Sequence, residues 1–270
     1  MNQLQKKELE LLKSFIEVCD KLNLKYFLVC GTALGAVKYN GFIPWDDDMD
    51  VGLYREDYNR FVKEAQKLLP QNVFLQTYET DLRYPYIFAK LRLSDTTYIE
   101  KSVAKIDMNH GVYIDVFPLD GYPLDEKEQQ MLEKKKLHYK RMVSCVYDVK
   151  RSLKGNVAVK LMRFAGIDKK TAKYLRKYEE LISAYPVKNS EYICNHGNWQ
   201  GQREYAKKDQ YGDGVVMTFE GLNVRVPEKY DEYLTQKYGD WRADLPADEQ
   251  VGHHYYSVCD LSKPYTEYLR

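Results

Sequence analysis

An apolar, aromatic and β-branched stretch, LKYFLVC (24–30), stops abruptly at Gly31 and Thr32; an alternating run of aspartates, Asp46, Asp48 and Asp50, then enters a second apolar stretch through Met49, Val51 and Leu53. The pattern predicts two strands close in sequence, one ending in a small glycine turn and the other opening on carboxylates. Alternate side chains of a strand share a face, so Asp48 and Asp50 are expected to project together while Met49 and Val51 pack behind them. Asp46 belongs to the same face, and Asp47 is expected to point away and act structurally. Two carboxylates on one face suit a hard divalent cation, Mg²⁺ or Mn²⁺, which takes oxygen ligands and shares them with a substrate's phosphates. Gly31 lets backbone N–H groups approach an anion, and the Thr32 hydroxyl can add a hydrogen bond to a phosphate oxygen. Ala33 to Val37 can then start a short helix whose N-terminus also favours anions.

Other readings of the aspartates meet obstacles. A solvated turn is the common fate of an Asp cluster, but this one runs straight into apolar strand-like residues. An EF-hand loop needs glycine at its sixth position and glutamate at its twelfth, where counting from Asp46 gives Val51 and Asp57. A nucleotide-sugar glycosyltransferase also uses an Asp-x-Asp pair and stays as an alternative.

A third acid follows from burial alone. In VYIDVF (112–117) Asp115 interrupts an apolar run, where a lone carboxylate costs several kcal/mol unless paired or metal-bound. A structural Asp bonded to backbone is the competing reading. Asp120, in LDGYP, reads as a turn residue. In YIFAKLRL (86–93), Lys90 and Arg92 lie two apart and are expected to face a donor's phosphates, Arg as a bidentate fork and Lys as a point charge. Lys38 is a weaker candidate of that kind, and an ion pair across strands is the plain alternative for Lys90 and Arg92.

These segments resemble the polymerase-beta-like nucleotidyltransferase superfamily and, more narrowly, the LicD family of phosphotransferases, relatives of the fukutin proteins. The string GTALGAVKYNGFIPWDDDMDVGL (31–53) carries the resemblance, with FAKLRLSDTTYIE (88–100), GVYIDVFPLDG (111–121) and FEGLNVRVPEKYDEYLTQKYGDW (219–241) in the expected order. It spans most of the chain and is thinnest over about 125–215. The resemblance implies a metal-dependent transferase in which Asp48, Asp50 and Asp115 are catalytic and metal-binding, and Gly31, Thr32, Lys38, Lys90 and Arg92 cradle the donor. It further implies a CDP-alcohol donor, most simply CDP-choline, with CMP leaving, and a hydroxyl of a lipopolysaccharide, teichoic acid or capsule glycan, free or lipid-linked, as acceptor. A nucleotidyltransferase sharing these acids, or a non-catalytic glycan-binding protein on the same fold, are the alternatives. The resemblance also brings GDWRADLPADEQVGHHYY (239–256) to the cleft, with Arg242, Glu249, His253 and His254; His253 is taken as a substrate contact, with His254 the other choice.

The five cysteines lack paired ligand spacing, which argues against zinc and for a reducing, cytoplasmic setting. A net charge of +1 gives no field for nucleic acid. Charge is nonetheless uneven, since residues 127–177 hold 16 Lys or Arg against 4 Asp or Glu. Within them NVAVKLMRFAG (156–166) suits the interface of an anionic membrane, with an ordinary packed helix as the competing reading. The N-terminus lacks a signal peptide's apolar core, and no run is long enough to span a bilayer. Of the 25 tyrosines, Tyr84, Tyr86 and Tyr113 lie near the expected site, where aromatic faces can hold a quaternary ammonium.

The expected fold is α+β, a nucleotidyltransferase-like mixed sheet with flanking helices and a helical insertion. Its parts are a catalytic core (1–124), a basic helical insertion (125–185) and a C-terminal part completing core and cleft (186–270). Helices are expected at about 3–22, 55–70 and 227–239, the last opened by Pro227. Strands are expected at 24–30, 48–53, 73–78, 85–93, 97–100, 112–117, 192–194 and 215–226.

Overall fold

The computed structural model describes residues 1–198, 201–252 and 254–269 and has the α+β architecture expected. Helix α1 (Gln3–Leu22) opens with a capping box: Asn2 accepts from the Gln5 backbone N–H, and the Gln5 side chain accepts from the Asn2 N–H. Leu9, Leu12, Phe15 and Cys19 recur at helical spacing and are buried against the sheet. Strand β1 (Tyr26–Leu28) leads to α2 (Cys30–Tyr39), β2 (Asp50–Tyr54), α3 (Arg55–Glu64), β3 (Val73–Gln76), β4 (Ala89–Leu93), β5 (Thr97–Glu100) and β6 (Val112–Tyr122). Three helices follow, α4 (Glu126–Val143), α5 (Leu153–Phe164) and α6 (Thr171–Ile182). The chain finishes with β7 (Tyr192–Cys194), β8 (Tyr205–Lys207), α7 (Lys208–Tyr211), β9 (Val215–Phe219), β10 (Leu222–Val226), α8 (Tyr230–Tyr238) and β11 (Tyr256–Asp260).

The main sheet runs β1-β2-β6-β4-β3, with β2 and β6 parallel and the other neighbours antiparallel; β7 and β8 extend it from the far end of β6. Buried on both faces, β6 reads as a nearly continuous apolar run. Helices α1 and α3 cover one side, and α4 and α6 pack on each other over a second apolar cluster that includes Tyr84, Leu132, Leu175 and Tyr178. Arg55 ties the two clusters together. It is buried, grips both carboxylate oxygens of Asp120 at 2.6 and 2.7 Å, and reaches Glu179 of α6 at 2.6 Å. Asp120 is thus a strand residue of β6, not a turn residue, because β7 and β8 prolong the sheet past the expected end of that strand.

Several boundaries differ from expectation for local reasons. Gly31 and Thr32 are not a turn before a helix; they lie in the first turn of α2. The chain turns one residue earlier, at Cys30, whose φ is 53° and whose N–H is taken by the Tyr233 hydroxyl at 3.0 Å. Strand β2 begins at Asp50, so Asp46 to Asp48 lie in irregular chain. The stretch 215–226 is a hairpin: Glu220 and Gly221 both have positive φ, the handedness that two-residue hairpin turns require. Pro227 precedes α8 by three residues and does not open it. Strand β11, unforeseen in the sequence, pairs with β5. Among the described residues no helix is long and apolar enough to cross a membrane.

Candidate active site

Strand register assembles the acids. Asp50 lies opposite Asp115 across the parallel pair β2 and β6, and Asp115 lies opposite Lys90 across the antiparallel pair β6 and β4. Residues directly opposed on neighbouring strands share a face, so two carboxylates and an ammonium form one row across the middle of the sheet. All three line a single cavity of about 970 Å³, whose lining also includes Asp46, Asp48 and Gly31.

Lys90, 2 % exposed, stands 2.9 Å from Asp115 Oδ1, 3.6 Å from Glu100 Oε2 and 3.2 Å from the centroid of the Tyr113 ring. The Asp115 contact is a buried ion pair. Burial pushes the Asp115 carboxyl above its ordinary pKa, with Lys90 opposing. Burial, then the neighbouring Asp48 and Asp115, raises Asp50 well above the usual range; burial and Asp48 raise Asp46 to about 8. Carboxylates this crowded must share protons unless a cation relieves them. Their all-oxygen donor set fits a hard divalent ion.

A second grouping overlaps the first. Asp47 Oδ1 stands 3.1 Å from His254 Nδ1, Asp47 Oδ2 accepts the His254 backbone N–H at 3.0 Å, and His254 Nε2 lies 3.7 Å from Asp48 Oδ2. Donor atoms of Asp47, Asp48 and His254 all fall within 4.8 Å of one another, the group among the described residues with metal-ligand proximity. Asp47 does not line the cavity and holds His254, whose ring reaches toward Asp48; residues 46–49 are irregular, so strand alternation does not govern them. Burial works against charge on His254, but the Asp47 hydrogen bond and the Asp48 carboxylate outweigh it and raise the pKa to about 10. A protonated imidazole donates to the aspartates, whereas a neutral one can ligate a cation; the two uses exclude each other. The close approach needs Gly252, where a Cβ would sit 2.5 Å from Asp47 Oδ2.

The remaining expected contacts divide. Gly31 faces the acids, and a Cβ there would lie 3.0 Å from Asp46 Oδ2. Thr32 does not line the cavity, and its Oγ1 accepts the Asp50 N–H at 2.8 Å. Arg92, fully buried, is spent on Gln76, the Gly111 carbonyl and Glu100. Lys38 lines the cavity while donating to the carbonyls of Arg242 and Ala243 and pairing with Asp244. Arg242 pairs with Asp231, Glu249 is exposed, and His253 lies outside the described residues. Of the three tyrosines, Tyr86 lines the cavity beside Phe88 and Phe117, Tyr84 is buried away from it, and Tyr113 lies under Lys90.

Three participants escaped sequence reasoning. Glu8, 2 % exposed, sits on the buried side of α1 with its carboxyl raised by burial and by Asp48, Asp46 and Asp47. The available clue was a carboxylate in register with Gln5, Leu9 and Leu12 on an apolar face. Gln5 itself donates to the carbonyls of Ile43 and Asp46 at 3.3 and 3.1 Å, pinning the acidic segment to α1. Glu100 neutralises Lys90 and Arg92, which hold its carboxyl below the usual range against the effect of burial. Its position at the end of TTYIE gave no sign of that.

Comparison with known proteins identifies the family. The family model LicD/FKTN/FKRP, nucleotidyltransferase domain, matches residues 23–154, which contain Asp46 to Asp50, Lys90 and Asp115. The chain is 31 % identical over 258 residues to the lipopolysaccharide cholinephosphotransferase LicD of Haemophilus influenzae, covering 91 % of this chain and 92 % of that one. It is also 33 % identical over 114 residues to an uncharacterized protein of Rickettsia prowazekii, RP689, covering 42 % of this chain and 39 % of that protein. With both the catalytic domain and nearly the whole length matched, the chain belongs to the LicD/FKTN/FKRP family and is an enzyme of the LicD type.

Proposed function

We propose that this enzyme transfers phosphocholine, or a related alcohol phosphate, from a CDP-alcohol to a hydroxyl of a cell-surface glycan. The observation that carries the reading is the row Asp50, Asp115, Lys90, which lines one cavity together with Asp46 and Asp48, in a chain 31 % identical to a lipopolysaccharide cholinephosphotransferase. Asp48 and Asp50, with Asp115, would hold a divalent cation, Mg²⁺ or Mn²⁺. When bound, that ion neutralises the donor diphosphate. Lys90 contributes a fixed positive charge beside the transferring group, kept in place by Glu100 and Tyr113.

The acceptor oxygen attacks the phosphorus that bears the alcohol, the bond from that phosphorus to the bridging oxygen breaks, and CMP leaves with the bond's electron pair. Asp115 either completes the cation's shell or, left free of it, orients the acceptor hydroxyl and takes its proton. Gly31 leaves room for the diphosphate beside Asp46, and Lys38 stands at the rim. Thr32 and Arg92 act through neighbours: Thr32 holds Asp50 and Arg92 holds Glu100. All five cysteines are unpaired, which supports a cytoplasmic setting and an acceptor still carried on lipid at the inner face.

The deciding experiment incubates the enzyme with CDP-choline, CDP-ethanolamine, CDP-glycerol and CDP-ribitol, with Mg²⁺ or Mn²⁺ and with lipid-linked or free glycan. CMP release that requires acceptor supports the proposal. Pyrophosphate release from a nucleoside triphosphate would instead assign nucleotidyl transfer.

A further inference from the structure

Helix α5 buries none of its residues. Leu153, Val157, Leu161 and Phe164 are 86, 57, 63 and 93 % exposed, and their spacing of four, four and three sets them on one stripe of the helix. A surface helix ordinarily turns such a stripe toward the core. The surroundings are basic: residues 150–170 contain seven Lys or Arg and one acid, Asp168. Lys154, Lys160, Lys169 and Lys170 are exposed.

We infer that α5 is a monotopic docking helix that lays its Leu153–Phe164 stripe into the interface of an anionic lipid bilayer. Apolar side chains enter the headgroup boundary, and the lysine stems run along the helix to put ammonium groups among lipid phosphates. Charge selects this occupant over a second copy of the chain, because two such faces would bring their lysines together. The helix is fastened to the body of the enzyme: Arg163 Nε donates to the Cys145 carbonyl at 2.8 Å, and Arg151 Nη2 to that of Ser144 at 2.6 Å. Val143 and Tyr147, which flank these carbonyls, line the catalytic cavity. Docking therefore holds one cavity wall close to the bilayer, where a lipid-borne acceptor would be met. The docking itself stands whether or not the proposed donor is correct.

The test sediments the full-length protein with vesicles of phosphatidylcholine alone or mixed with phosphatidylglycerol, at low and high salt. Binding is expected to the mixed vesicles at low salt and to fall as salt screens the lysines. Leu161→Asp with Phe164→Asp, and separately Lys154→Glu with Lys160→Glu, should each lower the partition coefficient about tenfold or more. These positions are exposed and outside the cavity, so turnover of a soluble acceptor and the thermal midpoint should stay at the parent values. Failure to pellet with anionic vesicles, or equal binding by the variants, overturns the inference. So does lipid-free dimerisation that Leu161→Asp with Phe164→Asp abolishes, since it gives the stripe to a second copy.

Discussion

At Asp115 two demands meet. Its carboxylate balances a buried ammonium and lines the cavity. Asp115→Asn keeps the shape and removes the charge, leaving Lys90 with Glu100 and the Tyr113 ring. Because burial already disfavours the Asp115 charge and Lys90 keeps Glu100, urea unfolding should shift by less than the about 3–5 kcal/mol of a fully broken buried ion pair. Turnover should fall by about 10²–10⁴, as for loss of a general base. A variant that keeps near-parental turnover would remove Asp115 from the chemistry. Asp46 gives a pH signature. Its folded pKa, about 8, lies above its ordinary value of 3.8, so the stability it contributes is complete at low pH and is lost as pH rises toward 8. His254, raised from 6.5 to about 10, adds a loss of the same sign at higher pH. Metal-free protein should therefore show a thermal midpoint that declines between about pH 4 and 8, with Mg²⁺ reducing the decline by binding the ionised carboxylates. A flat metal-free profile would contradict the acidic crowding.

Within the elements, α2 acts as a brace for β2. The Thr32 hydroxyl on the helix accepts the N–H of Asp50, the first residue of the strand. Thr32→Val keeps the shape and strands that donor, which should cost about 1–3 kcal/mol of stability and reduce kcat, while Thr32→Ser restores both. If Thr32 touched a donor phosphate instead, Thr32→Val would raise the donor KM and leave unfolding unchanged. Strand content was legible in runs dominated by apolar residues: Tyr26–Leu28, Val51–Leu53 and Val112–Phe117 all fall in the main sheet. Asp115 was legible for the same reason, as the one charge in such a run. The details around the aspartates were not, because alternation is a property of strands and Asp46 to Asp48 precede theirs. Nor could Lys90 be told from Arg92 by spacing alone. Both lie on β4, but only Lys90 lies in register with Asp115 and lines the cavity, while Arg92 is consumed by Gln76, Gly111 and Glu100.

On the scale of the molecule, the acidic segment is clasped by both ends of the chain. From α1, Gln5 holds the carbonyls of Ile43 and Asp46; from the C-terminal part, Gly252 and His254 close on Asp47. Neither contact could be read from local sequence, since hydrophobic periodicity reports what each element buries and not which distant polar group it meets. The clasp gives the C-terminal part a task beyond completing a core. Strand β11 pairs with β5, whose last residue Glu100 neutralises Lys90, and the chain just before β11 delivers His254 to the aspartates. His254→Ala removes the imidazole contact to Asp47 and keeps the backbone N–H that also reaches it. If the imidazole orients or completes the cation site, the concentration of Mg²⁺ or Mn²⁺ at half-maximal turnover should rise about 10–100-fold, as when partners of metal ligands are removed. Turnover at saturating metal should change far less. A purely structural clasp gives the opposite pattern, with a lower thermal midpoint and an unchanged metal requirement, so metal titration of the variant beside its unfolding curve separates the two roles.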